Sequence, residues 1–246
     1  MTTITPEKLL EELRRAAGVV AGITATFSDE DVKAPSELPG WTRGHVLAHV
    51  CGIANAMARQ LEYTARGETV ELYDGGYEGR TRSIAMAAGH TVTEHRADLD
   101  AALDRALQAF ESLDDDGWRA RISFRGGVVF DGGLALWREL VIHATDLGTG
   151  RGPETWSRPF CEHLVDFLAA RVPDGQRFVL QPLGLPAVSL GTPGGRSTAI
   201  NGMLTDIAAW LAGRTPTLGS LRATAAADGV DLPALLPWPA GVPVIP

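Results

Sequence analysis

Residues 134–147 read Leu134-Ala-Leu-Trp-Arg-Glu-Leu-Val-Ile-His-Ala-Thr-Asp-Leu147. Residues three and four apart share a helix face, so as a helix this stretch carries Leu136, Leu140, His143 and Leu147 on one stripe. Glu139 joins the edge of that stripe, one turn before His143. A carboxylate and an imidazole on an apolar face are costly to desolvate unless something pairs or coordinates them, and a metal ion would satisfy both. Glu and His four apart also make an ordinary side-chain pair, and two residues do not define a metal site. A third ligand has to come from elsewhere in the chain.

The rest of the first 150 residues supplies helices for this one to pack against. Thr5 is a candidate N-cap with Pro6 at the first helical position, followed by an apolar stripe of Leu9, Leu10, Leu13, Ala17 and Val20. A polar stretch from Ser28 ends in the turn Leu38-Pro-Gly40. A second helix starts near Thr42 and runs to about Arg66, with Gly67 past its end and Val46, Val50, Ile53, Met57 and Leu61 as its stripe. His49 lies on the shoulder of that stripe and His45 points further round. Alone, His49 reads more readily as a core histidine bonded to a backbone carbonyl.

Tyr73-Asp-Gly-Gly-Tyr77 reads as a loop and Arg80 to Ala88 as a short helix ending at Gly89. Thr91-Val-Thr-Glu94 fits a capping box that opens a third long helix, its apolar face made of Leu99, Leu103, Ala106, Leu107, Phe110 and Leu113. Alternation around Arg125-Gly-Gly127 predicts a small hairpin over Trp118 to Phe130. Four long amphipathic helices predict a bundle, whose interior is a common place for metal ligands from facing helices. His49 with Glu139 and His143 would make two nitrogens and one oxygen, a catalytic-type zinc set with an open fourth position.

Gly148-Thr-Gly-Arg-Gly-Pro153 marks a boundary, giving a metal-binding four-helix bundle over 1–150 and a small α/β domain with a Pro-rich tail over 151–246. In the second part, Ser157 to Val172 and Asn201 to Ala212 read as helices. Arg177–Gln181, Ala187–Leu190 and Arg196–Ile200 read as short strands. The tail, Leu236-Pro-Trp-Pro-Ala-Gly-Val-Pro-Val-Ile-Pro246, is expected to drape over the surface or a cleft. The fold class is therefore α+β.

The bulk numbers exclude several classes. A chain of 246 residues with 45% hydrophobic and 21% charged content reads as an ordinary soluble globular protein. No apolar run approaches a membrane helix and the start is no signal peptide, so the expected location is the cytoplasm. A formal net charge of −8 argues against general affinity for nucleic acid or anionic membrane, though a few arginines can still dominate one pocket. Cys51 and Cys161, outside any CxxC pattern, read as reduced core thiols. The acidic surface and the absence of heptads predict a monomer.

Leu38-Pro-Gly-Trp-Thr-Arg-Gly-His-Val-Leu-Ala-His49 and Trp137-Arg-Glu-Leu-Val-Ile-His-Ala-Thr-Asp-Leu147 together resemble the mycothiol-dependent maleylpyruvate isomerase family, one of the DinB-like metal-binding bundles. Arg80-Thr-Arg-Ser-Ile84, Ala209-Trp-Leu-Ala-Gly-Arg214 and Leu235-Leu-Pro-Trp238 carry the resemblance into both halves. The resemblance implies a divalent metal of zinc type held by His49, Glu139 and His143, with water or thiol completing the shell. It implies mycothiol as a thiol cosubstrate, whose metal-favoured thiolate adds to the cis double bond of maleylpyruvate. Rotation about the new single bond and expulsion of the thiolate then give fumarylpyruvate. It also implies a catalytic arginine at Arg80, for which a surface helix residue is the equal alternative, and a C-terminal domain that helps form the cleft.

Asp74-Gly-Gly-Tyr-Glu78 departs from the Ser/Pro-rich stretch that the isomerases place before this arginine, which puts the substrate in question more than the metal. Two other functions therefore stay open. One is a mycothiol S-transferase that forms a stable thiol conjugate in detoxification or specialised metabolism; the other is a non-catalytic protein that binds metal or a thiol conjugate. Asp146 reads as an exposed capping aspartate, with orientation of His143 as the alternative. Trp41 and Trp137 read as bundle packing, Trp238 as a cleft-closing residue or an anchor for the tail, and Cys51 as a poor fourth ligand.

Overall fold

Helix α1 (Pro6–Thr24) starts where Thr5 accepts a hydrogen bond from the Lys8 N–H at 3.3 Å. A short α2 (Asp29–Lys33), with its own Ser28–Asp31 capping box, lies inside the polar stretch that starts at Ser28, to which the sequence reading gave no helix. Helices α3 (Arg43–Thr64), α4 (Gly76–Ala87), α5 (Val92–Glu111), a short α6 (Asp115–Arg119) and α7 (Val129–Asp146) follow. The computed structural model describes residues 4–225 and 228–239. Its chain divides into two compact units, Ile4–Gly150 and a second built from Arg151 onward.

In the first unit the four long helices each touch two others: α1 packs on α5 and α7, and α3 packs on the same pair. Leu9, Leu13, Val20, Val46, Val50, Met57, Leu99, Phe110, Leu136 and Leu140 are buried at their common axis. Leu10, Leu107 and Leu113, expected in the same stripes, are only partly buried at the edges.

Two boundaries differ from the sequence reading for a shared reason. Helix α7 begins five residues before Leu134, the start of the stretch read as helical, and runs through Gly132-Gly133. A Cβ at Gly133 would stand 2.9 Å from Leu9 Cδ2 and 3.2 Å from Phe110 Cε1, and one at Gly132 would stand 3.0 Å from Ile122 Cδ1. Glycine is there because the neighbouring helices approach too closely for any side chain. The hairpin expected over Trp118 to Phe130 is correspondingly absent. That segment holds α6, a 3-10 turn at Phe124–Gly126 and one isolated bridge, Arg121 with Val128. Its last two residues, Val129 and Phe130, instead open α7, where Asp131 Oδ2 accepts the Val128 N–H at 2.9 Å. Helix α4 likewise begins at Gly76 rather than Arg80, entered through Gly75 and Gly76 at φ of 70° and 63°.

The second unit contains α8 (Arg158–Phe167), capped by Ser157, and α9 (Leu204–Leu211), which pack on each other. A 3-10 turn, Leu168–Arg171, ends the stretch expected to be helical as far as Val172. The sheet has strands β1 (Gln176–Pro182), β2 (Val188–Gly191), β3 (Arg196–Gly202), β4 (Arg222–Ala225) and β5 (Asp228–Val230) in the order β2-β1-β3-β4-β5. Strands β1 and β3 are parallel and the other pairs antiparallel. Asn201 and Gly202 belong to β3 and not to the following helix, and β4 and β5 were not foreseen. The described part of the tail is tied to this unit: Leu236 exchanges two hydrogen bonds with Arg171, and Trp238 sits against Phe167 and under the Arg171 guanidinium. Trp238 thus anchors the tail; residues 240–246 lie outside the described ones.

Candidate metal centre

Short-range chemistry brings the start of α3 to the end of α7. Thr42 caps α3, and the His45 ring turns back so that its Nδ1 receives the Thr42 N–H at 3.2 Å, which commits His45 to the cap. Arg43 donates from Nε to the Leu147 carbonyl at 2.8 Å and from Nη2 to the Gly148 carbonyl at 2.9 Å, satisfying orphan carbonyls where α7 ends. At Gly44 a Cβ would meet the Ala88 carbonyl at 2.5 Å, so only glycine lets α3 pass the end of α4. The Trp41 ring lies edge-on to His49, with centroids 5.9 Å apart. Each residue of Trp-Thr-Arg-Gly-His therefore has a positional task in aiming α3.

The result is a cluster formed by residues 90 positions apart in sequence: His49 Nε2 lies 2.9 Å from Glu139 Oε2. His143 Nε2 reaches the same oxygen at 3.0 Å, and the donor atoms of His49, Glu139 and His143 all lie within 4.8 Å of one another. The two imidazoles are perpendicular, with centroids 4.6 Å apart. His49 and His143 are buried, whereas the Glu139 side chain keeps 23% exposure, so the cluster opens on the carboxylate side.

Hydrogen-bond chemistry assigns the protons. Arg80 Nη2 lies 3.1 Å from His49 Nδ1, and a guanidinium only donates, so Nδ1 carries the lone pair and Nε2–H donates to Glu139. Burial drives His49 down to about 4, and the charges of His143 and Arg80 add to it. His143 behaves oppositely. Burial alone would lower it, but hydrogen bonds to Asp146 at 2.8 Å and to Glu139 raise it to about 9, so it is an imidazolium between two carboxylates. Burial also opposes ionisation of Glu139, yet the two imidazoles hold it well below the usual carboxylate range.

Asp146 is the residue the sequence reading misplaced. It is 0% exposed, and its carboxylate holds His143 Nδ1. The signal was its position three residues after His143, which shares a helix face. Tyr73, which gave no signal, accepts a hydrogen bond from Arg80, whose guanidinium lies over its ring at 5.9 Å. Burial pushes the Tyr73 phenol up.

The donor set fits a divalent ion. Two imidazole nitrogens and a carboxylate oxygen converge, and the far nitrogen of His143 is held by a second carboxylate, the usual support of a ligating histidine. Ligation through His49 Nε2 requires its proton to move to Nδ1, and an N–H at Nδ1 cannot accept from Arg80. Cation and Arg80 thus compete for the two nitrogens of one ring. Both cysteines are remote in character: Cys51 and Cys161 are buried, and burial pushes each thiol up to about 12.

Residues 9–148 match the family model described as the mycothiol maleylpyruvate isomerase N-terminal domain, and residues 155–237 match the MDMPI C-terminal domain. Among solved structures, the chain is similar to the mycothiol-dependent maleylpyruvate isomerase, with a TM-score of 0.82 and 21% identity over 96% of this chain and 99% of that one. A histidine-to-alanine mutant of the mycothiol-dependent maleylpyruvate isomerase gives a TM-score of 0.81 at 20% identity, with 96% and 99% coverage. Likeness at this level of identity speaks to the fold. A search of curated proteins returned no match.

Proposed function

This chain belongs to the mycothiol maleylpyruvate isomerase family, and from that premise we propose that it is a metal-assisted enzyme that uses mycothiol as a thiol cosubstrate against a small electrophile. The observation that carries the proposal is the convergence of His49, Glu139 and His143, with Asp146 behind His143 and Arg80 beside His49.

His49, Glu139 and His143 would hold the ion, zinc being the best match to the donor set. A bound divalent ion lowers the pKa of a coordinated thiol and so favours the nucleophilic thiolate at neutral pH. The nucleophile has to come from outside the chain, because both of its own thiols are buried and pushed up to about 12. Asp146 keeps the His143 ring in one orientation through Nδ1. Arg80, once displaced from His49 Nδ1, would keep a guanidinium beside the cluster that still contacts Tyr73. It would bind a substrate carboxylate or the enolate oxygen that forms as sulfur adds to a conjugated double bond. Tyr73, hydrogen-bonded to Arg80, limits where that guanidinium can point. For maleylpyruvate, addition turns the cis double bond into a single bond that rotates, and loss of the thiol gives the trans isomer.

Metal analysis of the purified protein, followed by maleylpyruvate absorbance with and without mycothiol, tests the reading. One divalent ion per chain and loss of absorbance only when both are present are expected. A protein without bound metal, or turnover indifferent to mycothiol, would remove it. A stable thiol adduct seen by mass spectrometry would instead make the reaction S-transfer on the same centre.

A further inference from the structure

Arg80 is held by neutral groups. Its Nη2 lies 3.1 Å from His49 Nδ1, its guanidinium stands 5.9 Å from the centre of the Tyr73 ring, and the Tyr73 oxygen accepts a hydrogen bond from it. Burial pushes the Tyr73 phenol up, so it stays uncharged near neutral pH. Arg80 makes no ion pair among the described residues. A carboxylate would fix a guanidinium by charge. Between an imidazole lone pair and a phenol, its direction is set by where those two acceptors stand.

The place of Tyr73 is fixed from several sides. Gln60 of α3 is 2% exposed and engages both ends of its amide: Nε2 donates to the Val70 carbonyl at 2.7 Å, and Oε1 accepts the Ser123 N–H and hydroxyl at 2.9 Å each. Arg59, the residue before it, forms an ion pair with Asp74, next to Tyr73. The Tyr73 carbonyl accepts the Gly76 N–H at 3.0 Å, which closes the turn into α4. A Cβ at Gly79 would run into the Asp74 carbonyl, so residues 70–74 press on the α4 backbone one position before Arg80.

Helix α3 thus carries His49 and, about 16 Å further along its axis, the two side chains that pin residues 70–74. One rigid element spaces the imidazole from the phenol, and Arg80 bridges them. With Arg80 on Nδ1, the His49 proton sits on Nε2, the nitrogen that faces Glu139.

We propose that Tyr73 is a positioning residue for the metal centre. It holds the Arg80 guanidinium against His49 Nδ1, keeps the ring in the tautomer that offers an ion no lone pair at Nε2, and so lowers metal affinity. The Tyr73–Arg80 contact can exist with or without an ion, whereas the Arg80–His49 contact exists only without one. Removing the phenol oxygen therefore loosens Arg80 where it matters, in the metal-free state. The inference rests on ligation through His49 and on no property of the thiol or the electrophile.

Chelator competition for Zn2+ on the full chain measures the effect. Tyr73→Phe should raise Zn2+ affinity about twofold to threefold, part of the gain from freeing His49 of one hydrogen bond. In an Arg80→Ala background the same substitution should change nothing, because its route to His49 is gone. A loosened fold would act in both backgrounds alike. Histidine labelled with nitrogen-15 gives a second readout with no metal present. In Tyr73→Phe the His49 proton should move from Nε2 towards Nδ1, its signals being assigned by their loss in His49→Gln. An equal change in both backgrounds, a fall in affinity, or an unmoved tautomer would each overturn the proposal. A protein that binds no Zn2+ in any variant overturns the ligation reading itself, and the tautomer shift, which needs no metal, tells the two failures apart.

Discussion

Arg80 donates to Nδ1 of His49 at 3.1 Å, and this one contact places the His49 proton on Nε2, the nitrogen that faces Glu139. Metal-ligating histidines normally have the reverse arrangement, with the ligating nitrogen bare and the far one protonated. Arg80→Ala should therefore raise metal affinity, by about fivefold to tenfold, since one hydrogen bond no longer has to be broken. Turnover should fall in the same variant. A chelator competition titration beside steady-state kinetics reads both; unchanged affinity would show that the contact does not oppose metal.

Asp146→Asn retains an acceptor for His143 Nδ1 but removes the charge. The His143 pKa of the metal-free protein should fall from about 9 towards its ordinary value, and metal affinity should drop about 10-fold to 100-fold. Imidazole proton shifts in NMR titrations report the first, and metal-release rates the second.

Metal must displace the His143 proton, which is held up to about pH 9. Between pH 6 and 8 affinity should rise about tenfold per pH unit, with roughly one proton released per ion bound. Calorimetry in two buffers of different ionisation enthalpy gives the proton count; a count of zero would show that His143 is neutral before metal arrives.

Stability of the metal-free protein should depend on pH from both sides. His49 drops from 6.5 in the unfolded chain to about 4, so the unfolded state binds the extra proton and stability is lost as pH falls from 6.5 towards 4. His143 rises from 6.5 to about 9, so its contribution is complete below 6.5 and is lost as pH rises through 9. Melting temperatures in chelator should thus reach their maximum, as far as this pair governs it, near pH 6.5. Asp146→Asn should flatten the alkaline side.

Gly133→Ala should destabilise by about 1–3 kcal/mol although alanine is the better helix former, because its methyl would meet Leu9 and Phe110. Gly18→Ala on α1, where a Cβ has nothing within 4 Å, should stabilise by up to about 1 kcal/mol. Opposite signs in urea melts are the expected result, and equal signs would contradict the close approach of α7 to α1 and α5.

Much of the first unit was legible from periodicity. Thr5, Thr42 and the Thr91–Glu94 box start the helices where the caps suggest, since capping is a local reaction of side chain with backbone. Boundaries were lost where tertiary contact overrides local preference: α7 extends back from Leu134 through Gly132-Gly133, where neighbouring side chains pack against the bare backbone, and the hairpin expected around Arg125-Gly-Gly127 is a 3-10 turn leading into α7. Strands β4 and β5 were missed because each is only a few residues long and depends on pairing with β3 or with each other.

His49, Glu139 and His143 could be named as candidates from residue type and spacing alone, because a polar group on an apolar helix stripe needs a partner whatever the fold. Which partners they found could not be. The burial of Asp146 against His143 and the Arg80 contact that sets the His49 tautomer join residues 3 and 31 apart in sequence at 2.8 and 3.1 Å. Hydrophobic patterning determines which faces turn inward; the protonation and reach of the groups on those faces depend on fields and contacts that exist only once the helices have packed.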